Sequence, residues 1–82
     1  MPPKIIHISY YALLREKRGV SQETVTTQAQ TVLDLYQELK EKHKFSLNSN
    51  LLKVAINDEF CSWEAELGGG DRVIFIPPVA GG

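Results

Sequence analysis

The chain lacks several features that common protein functions require. It has 82 residues, one cysteine and a formal net charge of −1. A single cysteine excludes an intramolecular disulfide framework and a four-cysteine zinc or iron–sulfur site. The near balance of charge argues against a nucleic-acid or anionic-membrane binder, which needs a basic excess or stripe. No apolar run approaches the ~20 residues of a membrane-spanning helix.

The chain is also short for a catalytic domain. Its length allows one domain with one core between two packed layers. Such a core leaves too little volume for an internal catalytic cavity of the usual size. The first residues, Met1-Pro2-Pro3-Lys4, precede only a short apolar segment. We therefore expect no signal peptide, and we expect the protein in the cytoplasm.

The first half of the sequence predicts two strands and a helix. Alternation over 5–11 predicts a strand with Tyr10 on its inner side and Tyr11 on its outer side. One or two helical turns should follow and end near Gly19, and 23–28 should pair with the first strand as a hairpin. A longer helix is predicted over 32–43. Its N-cap is Thr31, and its apolar stripe comprises Val32, Leu35, Tyr36 and Leu39.

The second half predicts three further strands. A nearly continuous apolar run over 51–56 is followed by an Asn-Asp turn and by a short returning strand. After the glycine-rich turn at 68–70, the run over 73–76 is apolar on both faces, which is typical of a central strand. We therefore predict an α+β fold of the β-grasp, or ubiquitin-like, type, in which a mixed sheet of about five strands packs on one main helix. The domain should span 1–76, and 77–82 should form an extended, mobile tail.

Within the predicted domain, no residue pattern indicates catalysis. Cys61 has no histidine near it in sequence, and a free cysteine is most often a small buried hydrophobe. His7 and His43 have no metal-ligand spacing and are interpreted as surface or capping residues. The glycines at 68–70 lack the Lys-Ser/Thr of a phosphate loop. We therefore expect no metal site and no cofactor bound by this chain.

The C-terminal tail is the unusual segment, because it is uncharged and narrows to two glycines. It reads Pro77-Pro78-Val79-Ala80-Gly81-Gly82. Chain termini are commonly disordered and without function, but the composition of this one favours a segment that inserts into a narrow channel of another protein. Glycine has no Cβ to obstruct entry, and proline reduces the conformations lost on insertion. The terminal carboxylate is ionised at neutral pH and can attack the α-phosphorus of ATP without a general base. An ATP site and a sulfur donor would have to come from other proteins.

Three segments of the sequence resemble the small subunit of molybdopterin synthase, a ubiquitin-like sulfur carrier family of the MoaD/ThiS type. The end of the chain matches its Gly-Asp turn, apolar strand, Pro-Pro and terminal Gly-Gly. The other two matching segments are Tyr10-Tyr11-Ala12-Leu13-Leu14-Arg15-Glu16 and Val54-Ala55-Ile56-Asn57. The Pro-Pro-x-x-Gly-Gly end after a Gly-Asp strand is the specific part of this match.

The resemblance implies a non-catalytic carrier subunit of a sulfurtransferase complex. A ubiquitin-activating-type enzyme would use ATP to adenylate Gly82, and a sulfur donor protein would convert the adenylate to a thiocarboxylate. The large catalytic subunit would then receive the tail in its active site, where sulfur passes to a cyclic pyranopterin precursor to form the dithiolene of the molybdenum cofactor. The same resemblance places Tyr11, Arg15, Phe60 and Ile76 at the interface with that subunit.

Two other functions remain open from the sequence. The chain could be a thiazole-type sulfur carrier or a related protein modifier, although those usually lack the Pro77-Pro78 pair. It could also be a ubiquitin-like interaction module without tail chemistry. In that case it would tolerate an added C-terminal residue. Phe60 and Ile76 could also be core residues, since large apolar side chains are usually buried.

Overall fold

Five strands and two α-helices follow one another between Lys4 and Ile76. The structure is a computed structural model, and it describes residues 3–77. In chain order the elements are β1 (Lys4–Tyr10), α1 (Ala12–Arg18), β2 (Gln22–Thr27), α2 (Val32–His43), a 3₁₀ turn (Ser49–Leu51), β3 (Lys53–Ile56), β4 (Glu59–Cys61) and β5 (Arg72–Ile76).

The five strands form one mixed sheet in the order β2-β1-β5-β3-β4. β1 and β5 are parallel, and the other neighbouring strands are antiparallel. β5 is therefore the central strand, as its two apolar faces predicted. With α2 as the main helix, this is the predicted β-grasp arrangement. Within residues 3–77, neither helix has the length and apolarity needed to cross a lipid bilayer.

Helix α2 closes the core against one face of the sheet. Its predicted N-cap is confirmed, since Thr31 Oγ1 accepts a hydrogen bond from the backbone nitrogen of Asp34 at 3.2 Å. The predicted stripe is buried: Val32, Leu35, Tyr36 and Leu39. The facing side chains of the sheet include Ile6, Ile8, Val73 and Phe75. Aromatic rings fill the centre, where the centroid of Tyr36 lies 5.2 Å from that of Phe75.

The predicted start of the third strand was wrong by two residues. Leu51 and Leu52 donate backbone hydrogen bonds to Asn48 and Ser49 at 2.9 and 3.0 Å, which closes a 3₁₀ turn. Pairing with β5 then begins at Lys53. An apolar run carries no sign of such a turn, because the turn is made by backbone groups alone.

The Asn-Asp turn after β3 and the glycine-rich turn before β5 both contain residues with positive φ. Asn57 and Asp58 join β3 to β4 with φ of 52° and 71°, the two positive values that a type I′ hairpin turn needs. Gly70 has φ of 86°, and its nitrogen donates to the carbonyl oxygen of Ile5 at 2.7 Å. The turn before β5 is thereby fixed against β1.

Gly70→Ala is expected to destabilise the fold by about 1 kcal/mol, because an L side chain is strained at this positive φ. A Cβ at Gly70 would meet no atom within 4 Å, so the cost is one of backbone conformation alone. Gly69→Ala is the matched control, since it also has open space and lies outside the left-handed region. Urea unfolding of both variants measures the difference. Equal stability of the two variants would contradict this account of the turn.

Candidate functional site

The root of the C-terminal tail lies at the middle of the sheet. β5 is flanked by β1 on one side and β3 on the other, and it ends at Ile76. Pro77 follows and is buried, continuing the inward phase of Val73 and Phe75. Because β1 runs parallel to β5 and Tyr10 pairs with Phe75, Tyr11 follows β1 at the same end of the sheet as Ile76.

An apolar surface surrounds this root on the side of the sheet opposite α2. Three of its members lie in one row across the strands, since Phe60 pairs with Ala55 and Ala55 pairs with Ile74. Facing residues on adjacent strands have Cβ atoms about 5 Å apart. We call this surface the docking face and define it as Tyr11, Ala55, Phe60, Ile74 and Ile76.

The docking face is open to solvent where its largest side chains lie. Phe60 is 71% exposed and Tyr11 is 48% exposed, whereas Ile74 and Ile76 are half-buried and Ala55 is buried. The alternative that Phe60 is a core residue is therefore wrong. Contiguous exposed apolar side chains are characteristic of protein–protein contact sites. The geometry thus favours a binding surface beside the point where the tail leaves the sheet.

Two cations accompany this apolar surface. Lys53 pairs with Ile76, and its Nζ lies 6.0 Å from the ring centroid of Phe60, within the range of a cation–π contact. Arg15 is exposed on α1, where its backbone nitrogen lies 3.4 Å from the carbonyl oxygen of Tyr11. A partner that fits this surface should therefore combine an apolar centre with acceptors near both cations.

The sequence identified only part of the docking face and of the two cations beside it. Tyr11, Arg15, Phe60 and Ile76 were named, and the structure leaves all four at least partly exposed. Sequence reasoning missed Lys53, Ala55 and Ile74. Alternation along β5 could have revealed Ile74, because it shares its phase with Ile76. Strand order, which the sequence does not state, is needed to bring Ala55 and Lys53 beside them.

The residues predicted to carry the chemistry lie outside the described part of the chain. They are Pro78, Val79, Ala80, Gly81 and Gly82. Their roles stay predictions, as does the role of Pro77 in tail insertion and the domain boundary between 76 and 77.

A polar cluster lies where α1, β2 and the end of α2 meet, and we call it the Glu23 junction. It comprises Tyr10, Arg18, Glu23 and His43. Arg18 Nε and Nη2 donate to the two carboxylate oxygens of Glu23 at 3.1 and 2.9 Å, and the hydroxyl of Tyr10 also donates to Glu23. Burial raises the pKa of Tyr10 above its usual range, so this hydroxyl remains a donor.

His43 is more enclosed than the sequence suggested. Its side chain is only 13% exposed, and its ring centroid lies 5.6 Å from that of Phe45. Nε2 is buried 3.7 Å from Glu23 Oε2, beyond hydrogen-bond reach, and has no hydrogen-bond partner among residues 3–77. The prediction of a surface or capping histidine was wrong, because the fold brings β2 and the 45–47 segment around the end of α2.

The junction predicts that acid destabilises the fold. Burial, with Arg18 nearby, lowers the pKa of His43 despite the opposing effect of Glu23. The unfolded chain therefore binds this proton more readily, so stability falls as the pH drops below the unfolded value of about 6.5. Hydrogen bonding from Arg18 lowers the pKa of Glu23, and that contribution to stability is lost at still lower pH.

We expect a lower thermal unfolding midpoint at pH 5 than at pH 7.5, and a smaller difference in His43→Gln. Differential scanning calorimetry over this range measures both. His7→Gln is the control, since it removes an exposed imidazole from β1. A His43→Gln variant as acid-sensitive as the original chain would show that another group is responsible.

The described residues contain little that could perform chemistry by themselves. Burial raises the pKa of the Cys61 thiol, which opposes formation of a reactive thiolate. Its sulfur lies 3.8 Å from the carbonyl oxygen of Val54 and packs at the edge of the core. Within residues 3–77, no group of three or more His, Cys, Asp or Glu side chains is placed to hold a metal ion. The geometry is that of a surface that binds a partner.

Comparison with known proteins gives a family match over most of the chain. The model of the ThiS family matches residues 8–82. The molybdopterin synthase sulfur carrier subunit of Escherichia coli (strain K12) is 31% identical over 81 residues, which cover 95% of this chain and 100% of that protein. A putative molybdopterin converting factor, subunit 1, from Pyrococcus furiosus is 30% identical, with a TM-score of 0.77 over 93% of this chain and 99% of that one.

The fold is also shared with a small archaeal protein whose name does not refer to molybdopterin. SAMP1 from Haloferax volcanii is 24% identical and superposes with a TM-score of 0.77 over 95% of this chain and 99% of that one. At this identity the likeness establishes the fold alone. A choice among functions must therefore rest on the family match, the closer relatives and the residues of the tail.

Proposed function

This chain belongs to the ThiS family, and from that premise we propose that it is the sulfur carrier subunit of a molybdopterin synthase. One observation carries the proposal. β5, the central strand, ends in the middle of an exposed apolar face, and the chain continues from there to Gly-Gly. A partner that binds the docking face would hold the tail root at a fixed place. The tail can then reach at most about 20 Å into that partner.

The proposed chemistry uses the carboxylate of Gly82. One of its oxygens attacks the α-phosphorus of ATP on a ubiquitin-activating-type enzyme, and pyrophosphate leaves. A donor protein supplies sulfur at the oxidation state of hydrosulfide. This sulfur attacks the acyl-adenylate and displaces AMP, which leaves a thiocarboxylate. Because ATP is consumed by the activating enzyme, this chain itself needs no cofactor. We propose that these steps take place in the cytoplasm.

The proposed acceptor is a cyclic pyranopterin precursor held by the large catalytic subunit. The docking face binds that subunit, and the tail delivers the sulfur to its active site. Once the sulfur is bonded to the precursor, water hydrolyses the acyl–sulfur bond and returns the carrier to a carboxylate, so two loaded carriers are consumed for each dithiolene. The names of the E. coli and P. furiosus relatives support this choice of acceptor over the thiazole-type carrier, as does the Pro77-Pro78 pair.

The alternative function is a ubiquitin-like interaction module without tail chemistry. The docking face is compatible with that function too, because an exposed apolar surface indicates a partner and not a reaction. The two proposals differ in whether Gly82 is chemically changed.

Intact mass spectrometry of the chain tests the proposal. The chain is incubated with ATP, a sulfur donor and the activating enzyme, and a parallel sample omits ATP. We expect an ATP-dependent species that is heavier by the difference between one sulfur and one oxygen, localised to Gly82. Addition of the large subunit and the pyranopterin precursor should restore the original mass. A chain that stays a plain carboxylate would favour the interaction module.

A further inference from the structure

Helix α1 begins directly after Tyr11 of the docking face and carries Arg15, but it is poorly fixed by apolar packing. Of its seven residues, only Leu14 is buried. Its N-cap residue, Tyr11, makes no side-chain capping hydrogen bond in the described structure, and Ala12 has a φ of 51°. That left-handed conformation is unfavourable for alanine, and a helix of seven residues is not stable by itself. Another contact must therefore fix the orientation of α1.

Glu23 joins the end of β1 to the end of α1. Its carboxylate accepts a hydrogen bond from Tyr10, which immediately precedes Tyr11, and it accepts the two hydrogen bonds from Arg18, the last residue of α1. Glu23 itself is fixed in β2, where it pairs with Ile8 of β1. A planar carboxylate that accepts two guanidinium hydrogen bonds defines direction as well as distance. One side chain thus ties the last residue of α1 to the two strands that form this edge of the sheet.

We propose that Glu23 is a positioning residue for docking, which holds α1 so that Tyr11 and Arg15 meet the partner in the correct place. This inference rests on the proposed function, because the partner is the large catalytic subunit named there. Glu23 does not need to touch the partner. Its side chain is only 15% exposed and is occupied by Arg18 and Tyr10.

Amide hydrogen exchange of the isolated chain tests whether Glu23 holds α1. In Glu23→Gln we expect exchange at the Gly19 amide, which donates to the carbonyl of Arg15 at 2.9 Å, to become about tenfold faster. Amides in the middle of α2 should change far less. Glu41→Gln is the matched control, since Glu41 is exposed on α2. Unchanged exchange in α1 would overturn the inference.

A milder variant covers the case in which Glu23→Gln does not fold. Arg18→Lys keeps the positive charge but removes the two-pronged hydrogen bond. We expect it to speed exchange of the same α1 amides by a smaller factor. If Arg18→Lys leaves these amides as protected as in the unmodified chain, the bidentate contact does not hold α1.

Affinity for the large subunit tests whether the contact between Glu23 and α1 contributes to docking. Glu23→Gln should weaken binding about tenfold in the unmodified chain. In a chain that already carries Tyr11→Ala and Arg15→Ala, it should weaken binding by less than about twofold, because the side chains to be positioned are gone. A general loss of folded protein would give the same factor in both backgrounds, and that result would overturn the positioning role.

The two proposals fail in different ways. If the unmodified chain does not bind the large subunit at all, the proposed function is wrong and the docking role of Glu23 falls with it, while hydrogen exchange still decides whether Glu23 holds α1. If the unmodified chain binds and the two factors are equal, the proposed function stands and only the positioning role is wrong.

Discussion

Deletion of Gly82, or addition of one residue after it, is expected to reduce sulfur loading below detection. In the proposed chemistry the reacting group is the terminal carboxylate, and the activating enzyme must bring it to the α-phosphorus of ATP. Deletion withdraws the carboxylate by one residue, and extension converts it to an amide. A loss of alignment at a reacting centre is costly even when it is small, and an amide carries no nucleophilic carboxylate oxygen.

Mass spectrometry after incubation with ATP, sulfur donor and activating enzyme measures the loss. A chain with one residue added before Met1 is the matched control, since it has the same added mass at the other end. The core residues lie between Ile6 and Phe75 in the sequence. The deletion and the C-terminal extension should therefore leave the thermal unfolding midpoint unchanged. If the C-terminally extended chain were loaded as well as the control, the carrier proposal would be wrong.

Ile76→Asp is expected to weaken binding of the large subunit by at least about 2 kcal/mol, or about 30-fold in Kd. Ile76 is the last residue of β5 and lies beside Lys53 and the start of the tail. A carboxylate there would be desolvated against an apolar partner surface, and it would compete with the partner's acceptors for Lys53. Isothermal titration calorimetry with the large subunit measures the change.

Ile5→Asp is the matched control for this substitution. Ile5 is 54% exposed on the same side of the sheet, but it lies in β1 near the opposite end from the tail root. Because Ile76 is half-buried, Phe60→Ala provides a second test with little risk to the fold, since Phe60 is 71% exposed. Equal affinities of all three variants and the original chain would remove the docking face from the interface.

The sequence determined the elements whose signals are local. Helix α2 was predicted from Val32 to about His43 and spans Val32–His43, because Thr31 caps it and its apolar residues recur at helical spacing. The opposite exposure of Tyr10 and Tyr11 followed from strand alternation. The ionised carboxylate and the missing Cβ of Gly82 are properties of the residue itself, so the proposed chemistry was also accessible from sequence.

The tertiary structure alone decided how distant segments meet. Phe60 and Ile74 lie in one row with Ala55 because β3 is placed between β4 and β5, and this order results from non-local strand pairing. The same holds for the Glu23 junction, where α1, β2 and α2 converge on one carboxylate. Local propensity contains no information about such pairings, since their energy comes from burying the faces of whole elements against one another. The proposed chemistry of the end of the chain thus comes from the sequence, and the surface beside it comes from the packing of the sheet.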